Sequence, residues 1–371
     1  IVFSQKEHRV SESATASAPA KTQPKAKKNR LSSGFFRFVL TRFLLIIPTV
    51  FILVTIVFFV MRATGDPISA AMGGRLTPEE LQRRIHAAGY DRPLVVQYLD
   101  YLGGLLRGDL GTTLTDNQPV TTILTRYGAA TFELAFLGLV VALIVGIGLG
   151  RLAARRRDHA ADAGIRVFAI LCYATPVFFL GLMLKLVFAV WLNVLPPSGR
   201  SSFASDMQFQ RLVSPTGFYI IDAFQLGDMS VLVDVLRHAV LPALALGLLT
   251  AGVFIRLVRT NVISTYTSGY VEAARSRGVS EGRLLSKHAW RPAMIPIITV
   301  MGMQIALMLA GAVLTETTFE WKGLGFMLSQ YLKQRDFVAV QGIVILIAII
   351  VAVVNFIVDV ISALIDPRVR Y

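Results

Sequence analysis

The chain has 371 residues, 54% of them hydrophobic and 16% charged, with a formal net charge of +14 and a mean hydropathy of +0.61. Long uncharged stretches in such a composition exclude an ordinary soluble domain and place the chain in a bilayer. The basic excess does not point to nucleic acid, because Lys and Arg gather at the ends of apolar stretches, where they orient helices, and no folded basic face is offered. Cys172 is the single cysteine, which excludes an intramolecular disulfide framework and any thiolate metal site.

Residues 1–34, with "SESATASAPAKTQPKAKKNR", are small, polar and basic, and are expected to form a disordered cytoplasmic tail. The first transmembrane helix is placed at 35–61, its apolar run from Phe38 to Met61 reading as a signal anchor rather than a cleaved leader. An extracytoplasmic segment is expected over 62–127. Residues 128–371 then read as a five-helix core, with apolar runs at about 129–150, 164–193, 239–258, 293–315 and 337–364. Each run is continuous rather than alternating, so the fold class is an all-α membrane protein with six transmembrane helices. In span three, "YATPVFFLG" carries Pro176, which predicts a kink.

Orientation follows from the short basic loops. Arg151, Arg155, Arg156 and Arg157 lie between spans two and three, and Arg256, Arg259, Arg275, Arg277, Arg283, Lys287 and Arg291 lie around spans four and five. These loops, both termini and the closing "DPRVRY" are expected on the cytoplasmic side.

Few polar residues fall inside the spans. Lys185 reads as snorkelling or pairing between helices, ahead of a substrate role. Glu133, placed in the first turns of span two, reads as structural and stabilised by the helix dipole. Asn355 and Asp359 share a face of the last span, with Asp359 near enough to the cytoplasmic end to pair with a basic loop residue. Gln304 and Gly311 stand in "MGMQIALMLAGAVL", a face that suits close packing or an adaptable passage lining. From helical face alone, Met303, Gln304 and Met308 are the candidate pathway residues.

Several chemistries are absent from the sequence: no phosphate loop ending in Gly-Lys-Ser/Thr, no His-Glu-x-x-His pair and no Gly-x-Ser-x-Gly elbow. No catalytic or metal residues are therefore assigned. Energy for transport must come from another subunit or from an ion gradient. The alternative to a subunit-driven permease is an ion-gradient-driven or channel-like transporter acting alone, disfavoured because the span centres are nearly bare of acidic residues and His.

The cytoplasmic loop at about 259–292, with "YVEAARSRGVSEGRLLSKHAWRPAMIP" running from Tyr270 to Pro296, predicts a short helix from Ser268 to Arg277 ended by Gly278 in left-handed geometry, then a second helix through Ser286. Its "EAARSRG" resembles the start of the EAA loop that membrane subunits of ABC importers present to their ATPases. The blocks "RFLLIIPTVFILVTIVFFVMRATGDP", "DRPLVVQYLDYLGGLLRGDLGTT", "LPPSG", "RHAVLPALALG" and "AGAVLTETTFEWKGLG" are similar to those of the B-type permease subunit of oligopeptide and dipeptide ABC importers. The similarity spans about residues 37–371.

That resemblance implies a type I ABC importer permease in the inner membrane, with Glu272, Ala273, Ala274, Arg275, Arg277 and Gly278 forming the ATPase-coupling surface. It implies as partners a second homologous permease, two ATP-binding cassette subunits, an extracytoplasmic binding protein and membrane lipid. ATP and Mg would be bound by the ATPases and no cofactor by this chain. Two departures stand out: "HAWR" from His288 replaces the usual end of the motif, and Lys322 replaces the usual Pro after the external Trp.

Overall fold

A computed structural model describes residues 30–74 and 76–365. Among them helices dominate, and the sole β feature is an isolated bridge between Thr112 and Pro119. The expected tail falls almost wholly outside the described residues, as does "DPRVRY".

In chain order the helices are α1 (Arg30–Ala63), α2 (Pro67–Met72), α3 (Pro78–Ala87), α4 (Leu94–Leu106), α5 (Val120–Arg155), α6 (Ala160–Ala174) and α7 (Val177–Leu184). They continue as α8 (Phe203–Phe209), α9 (Tyr219–Leu226), α10 (Met229–Tyr266), α11 (Gly269–Ser276), α12 (Glu281–Arg283), α13 (Trp290–Phe319), α14 (Leu324–Lys333) and α15 (Phe337–Ile365). Four helices, within α1, α5, α10 and α15, are long and apolar enough to cross a membrane, and the count reaches six if each of two bent pairs is one span.

The segment between spans one and two is built from short capped helices. Asp66 accepts the Ser69 N–H at 2.7 Å to start α2, and the Thr77 hydroxyl accepts from Glu80 at 3.4 Å to start α3, each followed by proline at the first helical position. Helices α5 and α10 extend well beyond their apolar runs at both ends. Span two begins at Val120 rather than near 129, and span four occupies Met229–Tyr266 rather than 239–258, because polar turns outside the apolar core continue the same helical hydrogen bonding.

Span three bends at Pro176, as expected. Thr175 is extended (φ −82°, ψ 125°), as the residue before proline prefers, and Pro176 has no N–H to continue the ladder. The helix therefore stops and restarts, and the kink expected at Pro176 is a turn of 110° between α6 and the Val177–Trp191 stretch. The second half ends in a π-helical stretch, Lys185–Trp191. Lys185 donates to the Thr318 carbonyl at 2.9 Å and lies 5.6 Å from the Phe319 ring centre, pairing span three with the end of α13.

Helix α10 is the axis of the fold. Of its most apolar window 61% is buried, against 17% for α1, so α1 lies at the periphery. The α5–α10 contact is close because glycines face it. A Cβ on Gly247 would stand 2.6 Å from the Gly138 carbonyl oxygen and 2.7 Å from Val141, and one on Gly146 would stand 2.6 Å from Phe254. Gly247→Ala is expected to force the two backbones apart at a cost of about 1–3 kcal/mol, read as a lowered thermal midpoint in detergent. Gly148→Ala, on an open face of α5, serves as the neutral control.

Two buried ion pairs knit distant segments. Arg200 donates to Glu133 at 2.6 Å and to the Gly217 carbonyl at 2.9 Å, while Glu133 also accepts the Ile220 N–H at 2.8 Å. Glu133 lies well inside α5, so its stabilisers are Arg200 and a first-turn N–H of α9 rather than the dipole of its own helix, which fades beyond the first turn. Asp162, fully buried, receives Arg259 through Nε at 2.7 Å and Nη2 at 2.8 Å, a bidentate grip that ties α6 to α10. At the periphery Arg42, inside α1 rather than in a loop as expected, meets Asp359 at 3.3 Å, so the last span pairs with the first.

A third polar knot joins α5 to the α13–α14 turn. Buried Glu316 accepts from the Thr131 hydroxyl at 2.7 Å and the Phe326 N–H at 2.9 Å, and Trp321 donates its indole N–H to the Ala130 carbonyl at 2.9 Å. Lys322 beside it is exposed and borders a cavity of about 410 Å³ together with Asp116, Tyr127, Phe326 and Tyr331.

Candidate coupling site

The loop around Glu272 is ordered from its own residues upward. Ser268 is extended (φ −77°, ψ 150°), and its carbonyl accepts from Val271 and Glu272 at 3.0 and 3.1 Å, which opens α11. Glu272 sits in the first turn and Arg275 in the last, the arrangement the helix dipole favours.

The helix ends where glycine permits a left-handed residue. Gly278 has φ +80°, its N–H bonds to the Arg275 carbonyl at 2.9 Å, and the Val279 N–H bonds to the Ala274 carbonyl at 3.3 Å. These two bonds form a Schellman cap, completed by an apolar contact, since Val279 packs against the cluster of Val271, Ala274 and Leu284. The spacing of Val271 and Ala274 turns one face of α11 inward against Tyr266 and Leu284.

Glu272, Ala273, Arg275, Arg277 and Gly278 are exposed, whereas Ala274 is 7% exposed. The expected alanine pair is thus split: Ala273 faces out, and Ala274 anchors the helix to its own chain. A helix of 3.6 residues per turn requires this, because i and i+3 share a face and i+2 does not.

Arg275 has a partner within the loop. Its Nε donates to Glu281 at 2.8 Å, its guanidinium lies 5.0 Å from the Tyr266 ring centre, and the Tyr266 hydroxyl also donates to Glu281. The Glu281 carboxylate raises the Arg275 pKa further above its already high value. This brace joins the end of α10, the end of α11 and the start of α12. Glu281→Gln is expected to leave the thermal midpoint unchanged, because the pair is exposed, and to accelerate amide hydrogen exchange across Gly269–Val279.

Beyond the cap, the second helix does not stop at Ser286. α12 passes through a π-helical stretch, Leu284–Ala289, straight into α13, since nothing between Glu281 and Pro296 breaks the chain, Pro292 falling in the first turn of α13. The helical run bends by 43° between its Glu281–Met294 and Pro296–Leu309 halves. Arg151, from the end of α5, lies 4.5 Å from the Trp290 ring centre and holds the entry to α13. The part of the loop from Glu281 onward is therefore continuous with span five, and α11 is joined to it through the Arg275–Glu281 pair and the Leu284 contact.

The three residues singled out on span five separate. Met303 is 60% exposed and Gln304 is half-buried. Met308 is 3% exposed, packed with Leu134, Leu246, Ala312 and Trp321, and so faces its own chain rather than a passage. Leu307 and Leu314, 62% and 49% exposed, extend the Met303 face instead. Gly311 lies against α10, where an added Cβ would come 3.5 Å from Leu246. The sequence reading did not find the Arg200–Glu133 and Asp162–Arg259 pairs, whose members are 67 and 97 residues apart and leave no spacing signal.

Comparison with known proteins agrees along nearly the whole chain. Residues 146–371 match the family model of the binding-protein-dependent transport system inner membrane component, and residues 35–132 match the model of its N-terminal portion. The di/tripeptide transport system permease protein DppB of Pseudomonas aeruginosa (strain UCBPP-PA14) is 37% identical over 336 residues, covering 90% of this chain and 98% of the relative. The dipeptide transport system permease protein DppB of Escherichia coli (strain K12) is 37% identical over 338 residues, 90% of this chain and 99% of the relative. The probable D,D-dipeptide transport system permease protein DdpB of the same strain is 36% identical over 305 residues, 82% and 88% of the two chains. With its apolar helices, its inward-anchored loop helix and this match, the chain belongs to the family of binding-protein-dependent transport system inner membrane components, and is a multi-pass permease subunit of the inner membrane.

Proposed function

We propose that the chain is the transmembrane subunit of an ATP-driven ABC importer and forms half of a translocation pathway for di- and oligopeptides delivered by an extracytoplasmic binding protein. Its partners are a second homologous permease and two ATP-binding cassette subunits, which bind ATP and Mg. Both of its termini, and the loop around Glu272, lie on the cytoplasmic side.

The observation that carries this reading is the construction of α11. The helix is capped, and anchored through Val271 and Ala274, yet Glu272, Ala273, Arg277 and Gly278 are left exposed, and the Arg275–Glu281 brace and the Leu284 contact tie it to the next helical run, which continues into α13. A rigid helix that presents small and charged side chains on a surface, and cannot move without moving a membrane span, suits a partner that works by displacement. ATP-driven closure of the cassettes would push α11, and α13 would pass that motion to the Met303–Leu307–Leu314 face, switching two membrane conformations. Peptides are proposed as cargo because the related permeases are named for peptides.

The test is purification of the tagged chain from detergent-solubilised membranes, with the copurifying subunits identified and ATPase and labelled-dipeptide uptake measured after reconstitution. Two ATPases, a second permease and ATP-dependent uptake support the reading. A lone chain that transports under an ion gradient without ATPase overturns it.

A further inference from the structure

Helix α4 is apolar on two faces. One face packs on the outer turns of α1: Tyr98 lies tilted against Phe58 and Tyr101 stacks on it, with ring centres 5.2 and 5.3 Å apart, and the Tyr98 and Thr55 hydroxyls share a hydrogen bond of 2.7 Å. Thr55 lies eight residues before the end of α1, so this contact is about 12 Å along the helix from its terminus at 1.5 Å per residue. On the other face Val95, Leu99 and Leu106 are 68%, 61% and 88% exposed, and their i, i+4, i+11 spacing sets them in one stripe.

Length decides how such a helix can lie. Thirteen residues span about 20 Å, too short for a hydrocarbon core of about 30 Å, so α4 runs along the membrane rather than across it. Around the contact stand the residue types that mark a membrane boundary. Arg62, in the last turn of α1, lies over the rings of Phe58 and Tyr90 at 5.1 and 4.5 Å, beside Tyr98 and Tyr101. The adjoining surface of α1 is also uncovered, with Phe51, Ile52 and Ile56 each more than half exposed. α1 is long and apolar enough to span, so lipid is the medium its uncovered surface is suited to, and the stripe on α4 adds a second apolar face beside the α1–α4 contact.

We propose that α4 is an interfacial helix whose Val95–Leu99–Leu106 stripe lies in the outer leaflet, fixing the depth and tilt of span one. Arg92 and Asp100, paired at 3.5 Å and exposed, lie on its polar margin. The occupant of the stripe is lipid rather than the binding protein or the second permease. The word "outer" rests on the orientation proposed above.

The experiment uses the assembled importer in phosphatidylcholine vesicles. A Cys172→Ser background carrying Leu99→Cys is labelled with an environment-sensitive fluorophore, and quenching is compared for lipids bearing a nitroxide at the fifth or the twelfth acyl carbon and for aqueous iodide. The expected result is stronger quenching from the fifth carbon than from the twelfth and little from iodide, with Ile52→Cys showing the reverse lipid order. Quenching by iodide alone, or by neither probe because a partner chain covers the stripe, overturns the proposal. Reaction of Phe203→Cys with a membrane-impermeant maleimide on intact cells reports the orientation separately. Failure there overturns the outer placement, whatever α4 does.

Discussion

An Arg200→Met chain is expected to lose about 3–5 kcal/mol of folded-state stability, because the substitution leaves Glu133 as an unpartnered charge in a buried position. Both side chains are under a tenth exposed, and the guanidinium also holds the Gly217 carbonyl and lies 3.7 Å from the Tyr219 ring centre. One residue thus pins the Leu195–Leu226 region onto α5. The measurement is the thermal midpoint of the detergent-solubilised importer. The Glu133→Gln/Arg200→Met double variant is expected to recover part of the loss, since glutamine still accepts the Ile220 N–H and no bare charge remains. A single variant with an unchanged midpoint would remove the pair from any anchoring role.

Gly278→Asp is expected to abolish most peptide uptake while leaving the chain inserted and abundant. The folding penalty is small: a left-handed φ of +80° costs an ordinary residue about 1–2 kcal/mol, and Asp is among the more tolerant residues there. A Cβ at Gly278 meets nothing within 4 Å of its own chain. That open space is where a docked ATPase is proposed to sit, and a carboxylate placed in it weakens docking by about 1.4 kcal/mol or more, a tenfold or greater loss. Uptake into proteoliposomes and ATPase activity of the same preparation are to be read together. Gly282→Ala, also facing open space but at an ordinary φ, is expected to transport normally. Full uptake by Gly278→Asp would defeat the coupling role of this loop.

These two sites differ in how far they could be read from the sequence. Gly278 was legible because a cap is local: an amphipathic turn, a glycine and an apolar residue lie within a few positions, and the Schellman bonds at Arg275 and Ala274 follow from that order. The inward turn of Ala274 was equally local, since it shares a face with Val271, but motif matching alone treats both alanines as surface. Arg200 was not legible. It looked like part of a turn-rich loop, and its partner stands 67 residues earlier in a helix that began nine residues before its apolar run.

By itself the sequence determined the class, the number and rough position of the apolar segments, and the capped helix at Glu272, because hydropathy and capping are decided by neighbours along the chain. The last span, expected at 337–364, is found at Phe337–Ile365 for that reason. Only the tertiary structure decided the close approach of α5 and α10, the inward turn of Met308, the Lys185–Thr318 link and the Asp162–Arg259 grip. Each depends on what another helix presents across a close contact: glycines that let α5 and α10 approach, a carboxylate that needs a charge, a carbonyl that takes Lys185. A buried polar group is stable only with its partner in place, and partners far apart in the chain are chosen by packing, which no short window of residues contains.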